Sequence, residues 1–445
     1  MAAPVLPIRR GLPFLGVLPQ FIREAPEFLY RIAREHGDIV HLRLGQQDVF
    51  AISNPEWIQD ILVTHQAQFK KSRTLERARA LLGDGLLTNE GDAHKRQRRL
   101  VQPAFHHERL MGYGAAMVAC AAAAREQWRE GETLDVAPEM MRVTMAIVTK
   151  TLFSADVGGE ADEIGTALTE VFQMFRTLLL PFSQYLEKLP VLPSVRKFNR
   201  ARKRLDATIY RLISERRASG EDKGDLLSML LSAQEEGSGM SDEQVRDESL
   251  TLFLAGHETT AAALIWSWYL LSQNPSAEAK FHEELDRVLA GRLPTFDDLE
   301  RLKYTEALFA ETLRLYPPAW AIGRRALTDY DVGGVRIRKG QILVVSPYVV
   351  HRDPRWFPDP LKFSPERWME ERQDRPRFSY FPFGGGTRVC IGERFARAEG
   401  VLLLATIGQK WKLSLTPGHK VETYATITLR SKYGMKMSPD LRHRL

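Results

Sequence analysis

The chain has 445 residues, 44% of them hydrophobic and 27% charged, the balance of a globular protein with a sizeable core and not of a disordered one. Two cysteines, Cys120 and Cys390, exclude a disulfide framework and a four-cysteine metal site within the chain, and they point to a reducing, cytoplasmic setting. The formal charge of +6 would admit nucleic acid or an anionic membrane as a partner. The densest basic run argues against both: around "VRKFNRARKRL" (195–205), Val195, Phe198, Leu205, Ile209 and Leu212 fall at helical spacing, so the Arg and Lys residues form the solvated face of an amphipathic helix.

From the N-terminus, prolines at 4, 7, 13 and 19 together with Arg9 and Arg10 break the apolar run that a signal peptide or membrane span requires. A soluble chain without a transmembrane anchor is expected. "DIVHLRLG" and "DVFAIS" alternate around a Gly-Gln-Gln turn and predict a hairpin. Helical periodicity then dominates from about residue 92 to about 316. Strands are predicted within 331–348, punctuated by Gly333-Gly334 and Lys339-Gly340, and over "YATITLR" (424–430). No internal repeat or linker divides the chain, which argues against a fused array of small modules and leaves one large domain over residues 1–445 possible; the layout is mainly α with a minor β region.

Within the helical part, Ser241 is an N-cap followed by acidic Asp242 and Glu243, apolar positions persist to Leu271, and Pro275 closes the run. This helix of about thirty residues contains "AGHETT". It is not a zinc-protease helix, because H-E-x-x-H needs a histidine where Ala261 stands. His257 and Glu258 in its middle argue against a membrane span. Gly256 costs about 1 kcal/mol relative to alanine there, which points to a close approach against the backbone. Glu258 and Thr259 suit proton relay. Equally, the threonine can bond back to a preceding helix carbonyl while the glutamate reaches the surface.

"YFPFGGGTRVCIGERFARAEG" (380–400) carries the strongest signal. Three glycines, Gly384 to Gly386, allow the backbone to lie flat against a large planar partner, and Cys390 sits where this loop meets the helix "GERFARAEGVLLLATI". A helix N-terminus favours an anion such as a thiolate. A thiolate with one open face opposite suits heme iron, where it pushes electron density toward bound oxygen. "FGGGTRVCIG" resembles the heme-binding signature F-x-x-G-x-R-x-C-x-G of the cytochrome P-450 monooxygenases, met by Phe383, Gly386, Arg388, Cys390 and Gly392.

The resemblance covers nearly the whole chain and implies the cytochrome P-450 fold, with heme b (iron protoporphyrin IX) between the long central helix and the cysteine-ligand loop. It makes Cys390 the metal ligand and places Ala255 and Gly256 beside the distal iron face, with Glu258 and Thr259 as the catalytic acid–alcohol pair. "HKRQR" (94–98) stands where the family has W-x-x-x-R: His94 replaces the tryptophan, and Arg98 is kept to bind heme propionates. Arg388 and, by position, Arg324 in preference to Arg325 join it. "ETLRLYPP" (311–318) resembles the E-x-x-R helix, so that Glu311 and Arg314, with Arg367 of "PERW", form a structural triad holding the cysteine loop.

The implied activity is insertion of one oxygen atom from O2 into a hydrophobic small molecule: a fatty acid, terpenoid, steroid or carotenoid. Pocket walls are expected near residues 82–87, 172–180, 252–259, 319–323 and 425–427. No flavin phosphate loop or iron–sulfur cysteine set remains, so electrons are expected from a separate ferredoxin or flavodoxin with an NAD(P)H-dependent reductase, docking on Lys95, Arg96, Arg99, Arg394 and Arg397. A peroxide-driven peroxygenase of the same fold and a non-catalytic heme sensor or carrier are the alternatives.

Overall fold

The structure, a computed structural model, describes residues 8–9, 11–154, 193–235, 238–370 and 375–442. The chain forms two compact units, each drawing on distant stretches: the first takes residues 1–76, 310–390 and 423–430, the second 77–309, 391–422 and 431–445.

The first unit is built on a six-stranded sheet. Its strands are β1 (Ile8–Arg9), β2 (Ile39–Leu44), β3 (Gln47–Ile52), β4 (Phe69–Lys71), β5 (Ile322–Ala326) and β6 (Ile342–Val345), in the spatial order β1-β2-β3-β6-β5-β4. The expected hairpin is β2–β3, antiparallel with Leu44 opposite Gln47. Gly45, at φ 63°, begins its two-residue turn. β6 runs parallel to β3 and antiparallel to β5. Both faces of the sheet are covered, which is why β6 reads as an unbroken apolar run. On one face Phe28, Leu29 and Ile32 of helix α1 (Leu18–His36) pack with Val40, Leu42 and Val49. On the other, Phe50, Ile52, Leu343 and Val345 share a cluster with Phe378 and Phe381, so this core reaches the segment that leads to the cysteine loop.

One expected strand is two. Residues 424–430 fold as a small hairpin of Thr423–Ala425 and Leu429–Ser431. The Thr426 N–H and hydroxyl both donate to the Thr428 carbonyl, at 3.0 and 3.2 Å, and this local bonding turns the middle of the run.

The second unit is mainly helical, with a small three-stranded sheet of Leu134–Asp135, Trp411–Leu415 and Lys436–Leu441; its helices include α2 (Gly91–Val101), α3 (His107–Arg125), α4 (Val136–Phe153), α5 (Pro193–Ser219), α6 (Leu226–Ser232), α7 (Asp242–Gln273) and α8 (Pro275–Leu289). α9 (Lys303–Leu315) starts in this unit and ends in the first, and α10 (Glu393–Gly408) follows. The central helix α7 has 32 residues, about 48 Å at 1.5 Å per residue. Ser241 caps it as expected, with Gln244 closing a capping box: the Gln244 N–H donates to the Ser241 hydroxyl (3.2 Å) and the Ser241 N–H to Gln244 Oε1 (3.0 Å).

α5 is the amphipathic helix the basic run predicted. Ala201, Leu205, Ile209 and Ile213 are buried at four-residue spacing, and the arginines and lysines between them face outward. The apolar stripe ends in a buried charge. Arg216 makes a bidentate pair with Asp225 (2.7 and 2.9 Å) and donates to the Phe153 carbonyl at 3.1 Å, while Asp225 also caps α6 through the Ser228 N–H (2.8 Å). Burial alone would raise the Asp225 pKa; Arg216 and the Ser228 bonds outweigh it and hold the carboxyl below its ordinary value. Removing one partner leaves a buried charge unpaired. Arg216→Met is therefore expected to destabilise the fold by about 3 kcal/mol, and adding Asp225→Asn, which still caps α6 without charge, to recover most of the loss in urea unfolding.

Candidate active site

In the first unit the cysteine loop starts from buried Phe381. The Gly384 N–H donates to the Phe381 carbonyl (3.0 Å), and the Cys390 N–H returns to the Phe383 carbonyl (2.9 Å), so the loop closes on itself. The glycines answer to neighbours within the protein. A Cβ on Gly385 would meet the Phe378 ring at 2.5 Å, and one on Gly386, at φ 69°, would overlap the Leu62 carbonyl. Gln66 Oε1 accepts both the Thr387 N–H (2.9 Å) and its hydroxyl (2.7 Å). Phe383 and Arg388 are half-buried and Cys390 is exposed. Two residues on, Gly392 is the N-cap of α10, and among the described residues no side chain caps that helix end.

Behind the loop lies a fully buried ion cluster. Both oxygens of Glu311 pair with Arg314, through Nε and Nη2 at 2.8 Å each, and Oε1 also accepts Arg367 Nε (2.9 Å) and the Ser364 N–H (3.0 Å). Trp368 Nε1 donates to Oε2 at 2.8 Å. Arg314 spends its remaining N–H groups on the carbonyls of His351 (2.7 Å), Pro360 (2.7 Å) and Lys362 (3.1 Å). All five guanidinium donors are thus used, the condition under which a buried ion pair holds its place. The structure brings the three predicted residues together, and adds Trp368 and the Ser364 backbone, which spacing alone did not reveal.

In the second unit, every residue of α7 from Val245 to Trp268 is buried except Ala255, Gly256 and Thr259. These lie at i, i+1 and i+4, so they make one open stripe of small side chains on an otherwise enclosed helix. The Thr259 hydroxyl donates to the Ala255 carbonyl (2.8 Å), the local bond that was one of its two readings. Glu258 does not reach the surface; it is buried. Next along the helix, Thr260 donates to the Gly256 carbonyl (3.4 Å) and Thr144 of α4 to the His257 carbonyl (3.0 Å). His257 bonds the Phe253 carbonyl through Nδ1 (2.8 Å). The close approach expected at Gly256 comes from α4, where Val148 Cγ2 lies 2.9 Å from any added Cβ.

His94 is buried and Arg98 half-buried, four residues apart on one face of α2. On β5, Arg325 pairs with Glu76, and strand alternation turns neighbouring Arg324 to the opposite face. The expected wall at 82–87 is moored to the start of α7: the Asp84 N–H donates to Asp247 Oδ2 (2.7 Å) and the Leu86 N–H to Glu248 Oε2 (3.0 Å), with Arg246 bonded to Asp247 at 2.7 Å. Residues 172–180 lie outside the described residues. Sequence reasoning also passed over Glu399 of α10. It is fully buried, and among the described residues neither oxygen has a partner within hydrogen-bond geometry. Burial pushes its pKa up to about 8, with the nearby Thr260 hydroxyl acting the other way.

An exposed cysteine closing a glycine loop and a long buried helix opened at a single stripe are the parts of a heme-thiolate oxygenase. The Cytochrome P450 family pattern matches residues 6–436, and the chain belongs to that family, mainly α in fold, which binds heme b through a cysteine thiolate and monooxygenates hydrophobic molecules. It is 41% identical over 438 residues to cyclooctatin synthase of Streptomyces melanosporofaciens, covering 97% of this chain and 95% of that protein. It is 38% identical over 413 residues to cyclooctat-9-en-7-ol 5-monooxygenase of the same organism, covering 92% and 89%. Among solved structures it is similar to the retinoic acid-bound cyanobacterial CYP120A1, with a TM-score of 0.88, 27% identity and coverage of 99% of this chain and 100% of that one. Among the described residues, no helix is long and apolar enough to cross a membrane.

The residues present fit the heme. Cysteine is among the most buried residue types, yet Cys390 is exposed, whereas Cys120 on α3 is half-buried with burial raising its thiol pKa, Lys150 only partly offsetting this. Ala255, Gly256 and Thr259 present a stripe that a planar group can lie against without meeting a large side chain.

Two outcomes follow from these environments. Arg314→Lys keeps the charge but offers three donors in place of five, so at least two buried charge-assisted bonds are lost and the fold loses about 3 kcal/mol, read by thermal or urea unfolding. Glu399 has its pKa raised from 4.5 to about 8 in the fold, so its contribution is fully present below 4.5 and is lost as pH climbs to about 8. Stability should fall by up to about 1.4 kcal/mol per pH unit within that window. Glu399→Gln removes this slope; identical slopes for the two proteins would refute the assignment.

Proposed function

We propose that residues 1–445 form one heme domain in which Cys390 is the iron ligand, and that the protein hydroxylates a terpenoid. The observation that carries the site is the exposed thiol at the mouth of a self-bonded loop, in a chain of this family. The two units interleave along the sequence, which supports a single domain. The relatives named for terpenoid oxidation, cyclooctat-9-en-7-ol 5-monooxygenase among them, support the substrate class.

Bound heme supplies O2 activation and transfer of one oxygen atom to a C–H bond. The chain's own residues do the rest. Cys390, as thiolate, donates charge to the iron, and the α10 N-terminus behind it favours the anion. The arginines Arg98, Arg324 and Arg388, with His94, bind the propionates, and Phe383, Gly386 and Gly392 shape the loop on the cysteine side. Ala255 and Gly256 leave room on the opposite side. Glu258, buried on α7, holds a proton that Thr259 Oγ1 passes on when it leaves the Ala255 carbonyl. Apolar walls, Leu82 to Leu87 among them, exclude water and orient the substrate.

Electrons come from a soluble partner, a ferredoxin or flavodoxin with its NAD(P)H-dependent reductase, in the cytoplasm. Arg99 and Arg394 are exposed and suit charge steering, while Lys95 also bonds Asp92 (2.9 Å) and Arg397 bonds Glu393 (3.1 Å).

The carbon monoxide difference spectrum of the reduced protein tests the assignment: the red-shifted Soret band of a thiolate-ligated heme in wild type, lost in Cys390→His. A spectrum indifferent to that change would overturn it. Thr259→Ala should divert electrons from product to peroxide, lowering coupling by up to about a hundredfold, the low end of what one acid–base group contributes; unchanged coupling would remove Thr259 from the proton path.

A further inference from the structure

The first unit holds a histidine that this chemistry leaves without a task. His351 is fully buried. Its carbonyl accepts Arg314 Nη1 (2.7 Å), and its ring Nε2 lies 2.9 Å from the Phe381 backbone nitrogen. An N–H can only donate, so Nε2 is the acceptor and the ring proton sits on Nδ1. Tyr380 and Phe381 clamp the ring, with centroids at 4.9 and 5.4 Å. Burial, reinforced by the Arg314 and Arg352 charges and opposed by the backbone of Arg314 and Leu313, keeps its pKa well below the ordinary value, so the acceptor persists.

From Phe381 the bonding runs on to the thiol. Its carbonyl takes the Gly384 N–H (3.0 Å), and the Phe383 carbonyl takes the Cys390 N–H (2.9 Å). Other anchors act to either side: Tyr380 Oη donates to the Ala310 carbonyl (3.0 Å), and Gln66 holds Thr387. We propose that His351 is a positioning residue for the heme ligand. Through the Phe381 N–H it sets where the cysteine loop departs from the buried Glu311–Arg314 pair, and so holds Cys390 on the iron.

This rests on Cys390 as ligand, and the test separates the two. His351→Gln, His351→Asn and His351→Leu are prepared as heme-loaded full chain, and three quantities are read: the rate at which the carbon monoxide complex loses its thiolate band, the ferric/ferrous midpoint potential, and the unfolding temperature. A glutamine amide oxygen reaches the place of Nε2, an asparagine stops one methylene short, and leucine cannot accept. Gln should therefore keep the wild-type rate and potential, while Asn and Leu lose the band about tenfold faster, the rate equivalent of one buried hydrogen bond. The inference fails if Asn and Leu lower the unfolding temperature but leave rate and potential at wild-type values, or if Gln behaves as Asn does. Should the leucine variant not fold, the Gln–Asn pair decides alone. A wild type lacking the thiolate band overturns the Cys390 reading and this inference with it.

Discussion

The first unit depends on a carboxylate and two guanidinium groups held out of water. Taking such charges from solvent costs several kcal/mol each, and the cost is met here because Glu311 accepts bonds from Arg314, Arg367, Trp368 and the Ser364 backbone while Arg314 has no donor left over. Charges bound this way tolerate few alternatives. The carbonyls of His351, Pro360 and Lys362, far apart in sequence from α9, converge on one guanidinium, so the irregular stretch before the cysteine loop is defined by charge satisfaction where no secondary structure defines it.

The second unit relies on α7 in a different way. A helix buried along most of its length needs no help from its backbone, yet three successive carbonyls, of Ala255, Gly256 and His257, each take a hydroxyl from Thr259, Thr260 or Thr144. Carbonyls that accept a second bond tilt away from the helix axis, and such bonding bends helices slightly. It is concentrated at the one place where the helix is open to a small-residue stripe.

Features carried by short spacing were legible in the sequence: the Ser241 cap, the stripe of α5, the β2–β3 hairpin, the Glu311–Arg314 pair and the cysteine signature. Those needing partners from remote segments were not. Gly256 read as a close approach, but only the fold shows that Val148 makes it. The glycines 384–386 suggested a flat partner, while Phe378 and Leu62 turn out to require Gly385 and Gly386. Glu399 sits within an apolar helix pattern that gave no sign of a neutral acid, and the mooring of the 83–89 loop depends on carboxylates more than 160 positions away. That Arg325 pairs with Glu76 came only from the sheet.

That mooring bears on how such a protein changes over evolutionary time. Asp247 and Glu248 grip the loop by the amides of Asp84 and Leu86, and an amide is the same whatever side chain it carries. Leu86 and Leu87 can thus be exchanged for other residues while the loop stays tied. Gly83 and Gly85 cannot, since any Cβ there would overlap Asp247 or Thr251. The loop is a fixed frame with interchangeable inserts, so its sequence can drift without the chain first losing its fold.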